Sequence, residues 1–292
     1  MPLYIKGSDV ESLLTMKDTL AAVEEVFLRW GQGKAVNHPR QRTRMPGGAL
    51  QMMTAVDTEA GAGFKTNGDR GVGNIVQLYD SKTGDFLAMI EATALSAIRT
   101  GAASGVATKY MARADASTVG IIGTGHQAAT QLEAVCAVRD IRSVKVYSRN
   151  ADNRAKFAAQ MEKRLKLPVN PVASSGESVE GADVVITITN SAEPVFEGKW
   201  LTPGTHVNAA GNNNWQHREV DETTITRSAI VAVDDLEQAR LSAASSWPRS
   251  HVDSSGGRGR WRFAASSRVT RPDVLRPSKS LSSNPRASPS KM

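Results

Sequence analysis

The pattern of apolar and polar positions divides the chain into two regions. Residues 17–30 carry apolar side chains at helical spacing, and residues 40–90 change to strand-like runs separated by turns rich in glycine. These runs, which include residues 75–79 and 86–90, predict an antiparallel sheet. From about residue 116, short apolar runs alternate with helical patterns, as in parallel sheets with helices on both faces. We therefore predict an α/β protein, in which an α+β region precedes a doubly wound parallel sheet.

The helices of the second region and the helix before it have distinct compositions. Residues 91–111 are rich in small side chains and predict a closely packed helix. Residues 126–138 predict a helix with Ala129, Leu132, Val135 and Cys136 facing inward, and residues 152–165 predict another. The predicted strands of the parallel sheet are residues 119–122, 143–147, 169–172, 183–189, 206–209 and 229–233.

Residues 117–128 carry the strongest single motif in the chain. An apolar strand leads into Gly-x-Gly-x-x-Ala and then into a helix, the order of a Rossmann-type dinucleotide-binding unit. Gly123 permits the sharp turn, Gly125 lets the backbone approach a pyrophosphate, and Ala128 keeps the helix close to the sheet. The free N–H groups at the start of the helix would face the anion. The alternative is a glycine turn in an α/β domain that binds no nucleotide.

Charge and composition narrow the class of protein. The formal net charge is +7, but residues 242–292 hold ten Lys or Arg and two Asp, and the other 241 residues are nearly neutral. That part offers no broad basic face, so nucleic-acid binding is not expected of it. A single cysteine and no long apolar run predict a cytoplasmic protein without a disulfide or membrane span. The histidines have no metal-ligand spacing, so we expect no metal.

Several ordered motifs resemble the ornithine cyclodeaminase/mu-crystallin family over roughly residues 1–243. The resemblance implies a homodimer with an N-terminal substrate and dimerisation domain, residues 1–114, and a dinucleotide domain, residues 115–243. It also implies hydride transfer between NAD(P) and a small amino acid, cyclic imine or 2-oxo acid. The motifs are Asp80–Gly84, Ile98–Ser104, Val119–Gly125, Asn208–Gly211, and Asp234-Asp235 followed by Glu237–Arg240.

Three cationic residues match the family's carboxylate-binding positions. The resemblance implies that Arg42, Lys65 and Arg99 bind the substrate carboxylate, through paired guanidinium hydrogen bonds and a lysine charge. Each has an ordinary alternative. Arg42 could be a solvated strand residue, and Arg99 could form a structural ion pair. Lys65 could be a lysine on an edge strand that discourages aggregation.

Two positions depart from the family pattern. Gln51 stands where cyclodeaminases have a glutamate, and Asn213 is nearest to the aspartate that contacts the substrate amine. An asparagine can orient a substrate but cannot take up a proton as a carboxylate does. These departures argue against ornithine cyclisation and favour reduction of an imine or 2-oxo acid, with Lys65 or water delivering the proton. An NAD(P)-binding protein without turnover is the alternative.

The cofactor is predicted from the ends of the strands. The second strand of the parallel sheet ends without an acid for the adenosine ribose, and Ser148 and Arg149 could instead hold a 2′-phosphate. NADP is therefore favoured over NAD, although Arg149 could be a solvated loop charge. Thr100 could reach the pyrophosphate or bond its own helix. The other predicted cofactor residues are Gly123, Thr124, Gly125, His126, Gln127 and Ala128 at the turn, and Thr189, Asn190 and Ser191 by the resemblance.

The end of the chain departs from the family. Residues 244–292 are rich in Ser, Arg and Pro and are predicted to be mostly disordered. A shifted reading frame would explain the abrupt change, and the nucleotide sequence of the gene tests this. The alternative is a genuine basic tail that binds nucleic acid or an acidic partner.

Overall fold

A computed structural model describes residues 1–46, 48–68, 73–212, 217–235, 237–239 and 263–265. Within these residues the chain forms two main sheets and seven α-helices. The strands are β1 (Leu3–Ile5), β2 (Ala35–Asn37), β3 (Gln41–Met45), β4 (Gly48–Asp57), β5 (Gly61–Gly68), β6 (Ile75–Tyr79), β7 (Phe86–Glu91), β8 (Thr118–Ile122), β9 (Ser143–Tyr147), β10 (Val169–Pro171), β11 (Val184–Thr187), β12 (His206–Ala209), β13 (Val231–Val233) and β14 (Phe263–Ala265). The helices are α1 (Gly7–Leu13), α2 (Met16–Gly31), α3 (Thr93–Met111), α4 (Ala128–Val138), α5 (Ala151–Leu165), α6 (Ser175–Val179) and α7 (Glu222–Arg227).

The first sheet has seven strands and is almost entirely antiparallel. Its order is β1-β7-β6-β5-β4-β2, and β3 also pairs with β4. Only the β1–β7 pair is parallel among its described strands. The antiparallel sheet predicted for residues 40–90 is confirmed. The register aligns Arg42 with Gln51 and Gln51 with Asn67, and it aligns Met53 with Lys65. Side chains of aligned residues share one face, so these residues lie in two neighbouring rows.

The second sheet is parallel and has the order β10-β9-β8-β11-β12. Its first strand in the chain, β8, lies in the middle, and the order reverses between β8 and β11. In such sheets the ligand crevice lies at the carboxyl ends of the strands where the order reverses. The core beneath it contains fully buried Ile121, Leu132 and Ile186. The predicted doubly wound parallel sheet is confirmed.

Helix α3 connects the two sheets through unusually close packing. A Cβ added at Gly101 would lie 2.3 Å from the carbonyl oxygen of Thr130 in α4. A Cβ at Gly105 would lie 2.6 Å from Leu20 Cδ2 in α2. The Thr130 hydroxyl also donates to the Ala97 carbonyl at 3.0 Å. The small residues of α3 thus allow backbone contact between the helices, as their composition predicted.

Two sequence expectations need correction. Helix α4 begins at Ala128 rather than at residue 126, because the glycine turn continues through Gln127. The strand predicted over residues 229–233 forms as β13, but it pairs with β14 instead of joining the parallel sheet. An apolar run specifies a strand without specifying its partner. Apart from β14, the predicted disordered tail lies outside the described residues.

Two further findings concern the described part of the chain. No helix there combines the length and the apolar character needed to cross a membrane.

Cys136 lies partly buried against the parallel-sheet core, and burial followed by the charge of Glu133 raises the pKa of its thiol to about 12. It is therefore protonated at neutral pH, in agreement with its predicted place on the inner face of α4.

Candidate active site

The glycine turn after β8 has the geometry that a dinucleotide requires. Gly123 has a φ of 113°, which favours glycine, and a Cβ there would lie 2.3 Å from the Ile188 carbonyl oxygen. The carboxyl ends of β8 and β11 therefore touch at this residue. At Gly125 an added Cβ would meet no heavy atom within 4 Å. The turn thus has open space above Gly125, just before the N-terminus of α4, where an anion is stabilised by N–H groups and the helix dipole.

The neighbouring turn residues differ in accessibility. Ala128 is fully buried, which lets α4 lie close to the sheet. Thr124 is half-buried and His126 is exposed. The Gln127 Oε1 atom is buried and has no hydrogen-bond partner in the described part of the chain. Thr100 donates its hydroxyl to the Ser96 carbonyl at 2.6 Å, so in this structure it bonds its own helix, as the alternative held.

A buried carboxylate joins the loops that follow β11 and β12. Glu219 is 4% exposed and accepts from the Thr189 backbone N–H at 2.6 Å, the Thr189 hydroxyl at 2.7 Å and the Gly211 N–H at 2.6 Å. Burial raises the pKa of Glu219, and these hydrogen bonds oppose the rise. Asn212 also donates to the Ser191 carbonyl at 2.8 Å. Glu219 and Asn212 therefore fix the backbone of the loop that is predicted to lie along the cofactor.

The end of β9 presents no acid directly after the strand. Ser148 donates its hydroxyl to the Asn150 carbonyl at 3.0 Å, and Arg149 is exposed. Arg154 donates to the Ser148 carbonyl at 3.0 Å and lies over the Tyr147 ring. This arrangement fixes the backbone of the loop and leaves Arg149 facing solvent. The first acid after the strand is Asp152, inside the first turn of α5.

A second cluster lies on one face of the first sheet, around Lys65. The Lys65 Nζ atom donates to the Ser96 hydroxyl of α3 at 2.5 Å. Burial, then the charges of Arg99 and Arg40, lower the pKa of Lys65 to about 8. A lysine with a pKa this close to neutrality can both hold an anion and release a proton.

Two arginines face this lysine. The side chain of Arg99 remains accessible to water although many protein atoms surround it, as expected at the wall of an open cleft. Partial loss of solvent lowers the pKa of its guanidinium, and the charge of Asp234 opposes this. Arg40 is half-buried, and burial followed by the charges of Arg42 and Arg99 lowers its pKa. Arg42 itself is exposed on β3.

Neutral polar groups complete this face. The side-chain oxygens Gln51 Oε1 and Asn67 Oδ1 are buried without hydrogen-bond partners in the described residues. These residues are aligned across β4 and β5, and Arg42 is aligned with Gln51 on the next strand. Buried oxygens without donors are uncommon in folded proteins and indicate a place where a donor can bind.

Helix α3 brings the two clusters together. Ser96 contacts Lys65 on the first sheet, and its neighbour Ala97 accepts a hydrogen bond from Thr130 of α4. One turn of α3 therefore contacts both the cationic face and the helix that follows the glycine turn. The predicted Arg42, Lys65 and Arg99 lie in one cationic cluster, whereas Asn213 lies outside the described residues.

The structure adds residues that the sequence did not single out. Arg40 joins the cationic cluster, Asn67 completes the row with Gln51, and Glu219 holds the loops of the parallel sheet. Asp234, which belongs to one of the motifs of the family resemblance, lies close enough for its charge to act on Arg40 and Arg99. Of Arg40, Asn67 and Glu219, only Arg40 had a local signal, because the alternation of residues 40, 42 and 44 would place it on the same side as Arg42. In the described residues, no three His, Cys, Asp or Glu side chains are arranged to hold a metal ion.

Comparison with known proteins identifies similar enzymes. The chain is 37% identical over 248 residues to an alanine dehydrogenase of Archaeoglobus fulgidus, covering 82% of this chain and 75% of that protein. The fold is similar to that of Thermococcus litoralis Δ1-pyrroline-2-carboxylate reductase in complex with NADH and L-proline (TM-score 0.79, 37% identity, 83% of this chain and 79% of that one). It is also similar to an archaeal alanine dehydrogenase dimer with bound NAD (TM-score 0.77, 36% identity, 82% and 76%).

The match to the family is continuous along most of the chain. It spans residues 3–249, and so includes both sheets, the glycine turn and the cationic cluster. With the parallel sheet and the two similar enzyme structures, it leads to one conclusion: this chain belongs to the ornithine cyclodeaminase/mu-crystallin family.

Proposed function

We propose that this protein is an NAD(P)-dependent oxidoreductase that reduces the imine of a small amino acid. The imine is either cyclic or forms from a 2-oxo acid and ammonia with loss of water. When bound, the nicotinamide supplies a hydride to the imine carbon, and the imine nitrogen gains a proton, which yields the amino acid. The observation that carries this proposal is the contact of one turn of α3 with both Lys65 and the helix after the glycine turn.

The cationic cluster would hold the substrate carboxylate. Arg99 and Arg42 can each donate two parallel hydrogen bonds to it, and Lys65 adds a charge at shorter range. Lys65 also has a pKa near 8, so its ammonium can release a proton towards the imine nitrogen at neutral pH. Asn213 is proposed to orient the substrate amine.

The glycine turn would hold the pyrophosphate. Open space above Gly125 and the start of α4 supply N–H donors there. The side chains or backbone of Thr124, His126 and Gln127 would line it, and Ala128 would keep α4 in place. On the opposite side, the loop Thr189-Asn190-Ser191, held by Glu219, would line the nicotinamide half.

The choice of cofactor is proposed from the β9 loop. The exposed guanidinium of Arg149 can meet a 2′-phosphate, and Ser148 lies beside it. No acid directly follows β9 to bind the ribose hydroxyls, which supports NADP. NAD remains the alternative, and the two solved relatives described above bind NADH and NAD.

A homodimer is proposed from the face of the first sheet that keeps exposed apolar side chains among the described residues. Helices α2 and α3 contact its other face, through Arg29 with Asp57 and Lys65 with Ser96. Val36, Val56 and Phe86 remain 50%, 44% and 36% exposed. An apolar sheet face of this kind fits a second copy of the chain, and the similar archaeal enzyme is a dimer.

A second candidate is a protein that binds NAD(P) without turnover. Gln51 favours it, because an amide cannot exchange protons as the family's glutamate can. The two functions are separated by titrating NADPH and NADH and then testing Δ1-pyrroline-2-carboxylate and 2-oxo acids with ammonium. Oxidation of either cofactor supports the reductase, and binding without oxidation supports the second candidate.

A further inference from the structure

The cationic face of the first sheet holds more positive charge than one carboxylate matches. The charges of Arg42 and Arg99 act on Arg40, and those of Arg99 and Arg40 act on Lys65. Asp234 is an acid whose charge reaches Arg40 and Arg99. Since like charges repel at short range, a bound anion must offset part of this cost.

Arg40 stands immediately before β3, whose residue Gln41 is aligned with Met52. Just before this pairing begins, Arg40 lies close enough to Arg99 and Lys65 for the charges to act on each other. Its backbone N–H donates to Gln238 Oε1 at 2.7 Å. Unlike this backbone N–H, the Nε and Nη1 atoms of the Arg40 guanidinium are buried and have no hydrogen-bond partner in the described residues. Buried N–H groups of a guanidinium without an acceptor are costly, so these two atoms indicate a position where an anion can bind.

The same face offers the complementary acceptors. Gln51 Oε1 and Asn67 Oδ1 are buried and lack donors in the described part of the chain. They lie on adjacent strands in one row. An amine, or an imine protonated to carry two N–H groups, can donate to both, while the neighbouring cations hold carboxylate oxygen atoms.

We propose that the substrate is a dicarboxylic imino acid or 2-oxo acid, and that Arg40 determines this specificity by binding the second carboxylate. Arg42, Lys65 and Arg99 bind the carboxylate next to the reacting carbon. Gln51 and Asn67 accept hydrogen bonds from the substrate nitrogen. This inference rests on the proposed reductase function and adds the class of substrate.

The test compares two substrates of equal carbon number. Oxaloacetate and 2-oxobutanoate are each supplied with ammonium and reduced cofactor to the full-length protein, and kcat/KM is measured for both. We expect the wild type to prefer oxaloacetate. Arg40→Met should lower the ratio of the two kcat/KM values about 100-fold, as loss of a charge-assisted hydrogen-bonded pair does. Arg40→Lys should recover part of the ratio because it keeps the charge.

Arg44→Met is the matched control. Arg44 lies on the same side of β3, four residues along, and is exposed, so its loss should leave the ratio unchanged. The inference is overturned if the wild type uses 2-oxobutanoate at least as well as oxaloacetate. It is also overturned if Arg40→Met lowers both kcat/KM values by the same factor.

A binding measurement separates this inference from the proposed function. Succinate and butanoate are titrated into each variant by calorimetry, which requires no turnover. Tighter binding of succinate that Arg40→Met abolishes supports the second carboxylate site even if no substrate is reduced, and in that case only the reductase function fails. Equal affinities for succinate and butanoate overturn the inference whatever the kinetics show.

Discussion

The two glycines of the turn should separate fold stability from cofactor binding. In Gly123→Ala, the new Cβ would stand 2.3 Å from the Ile188 carbonyl oxygen, and the backbone would keep a φ of 113°. Backbone strain and overpacking each cost about 1–3 kcal/mol. In Gly125→Ala, the Cβ would enter open space at a residue without a positive φ. It should change stability by less than about 1 kcal/mol.

The same open space is where the pyrophosphate is proposed to lie. A methyl group at residue 125 would therefore keep the phosphate from the backbone N–H groups, and we expect NADPH and NADH affinity to fall at least about tenfold, equivalent to ~1.4 kcal/mol. Gly123→Ala should lose affinity as well, because it pushes apart the ends of β8 and β11. Only Gly123→Ala should also be less stable.

Thermal unfolding and fluorescence titration of the cofactor measure the two effects. A loss of about 3 kcal/mol in Gly123→Ala corresponds to a Tm lower by roughly 6–12 °C for a domain of 150–250 residues. Gly125→Ala should unfold within a few degrees of the wild type. Wild-type cofactor affinity in Gly125→Ala would refute the placement of the pyrophosphate at this turn. A Tm unchanged in Gly123→Ala would refute the close contact of the two strands.

Three further predictions concern single side chains. The kcat/KM for imine reduction should fall as pH rises through about 8, since the pKa of Lys65 lies there and its protonated form donates the proton. Lys65→Arg should remove this fall from the pH profile. An unchanged profile in Lys65→Arg would exclude Lys65 as the proton donor. Arg149→Ala should weaken NADPH binding more than NADH binding in parallel titrations, and equal losses would contradict a 2′-phosphate contact. Glu219→Ala leaves the N–H groups of Thr189 and Gly211 without an acceptor, and after relief of the buried charge it should cost about 2 kcal/mol in urea unfolding. An unchanged midpoint would show that other groups hold these loops.

Much of the fold could be predicted from the sequence because the apolar periodicity and the turn residues that specify each element lie within short segments. The apolar run and glycines of residues 117–128 specify a strand, a turn and a helix without reference to the rest of the chain. Strand β9 has the bounds that its apolar pattern predicts. The small residues of α3 likewise predict close packing, and Gly101 meets the backbone of α4. The apolar run at β13 predicted a strand but assigned it to the wrong sheet, since strand pairing depends on distant residues.

The candidate site depended more on tertiary structure. Periodicity places Arg40 and Arg42 on one side of a strand, yet only strand register brings Gln51, Asn67 and Lys65 beside them. Glu219 belongs to no local motif. Its role depends on the contact between the loops that contain Thr189 and Gly211, which are distant in the sequence. The sequence by itself determined the elements and the nucleotide turn, because backbone conformation and hydrophobic period are properties of short segments. Which charges share a sheet face, and which polar atoms of the described residues are left without partners, was decided by strand register and by the packing of α3 between the two sheets.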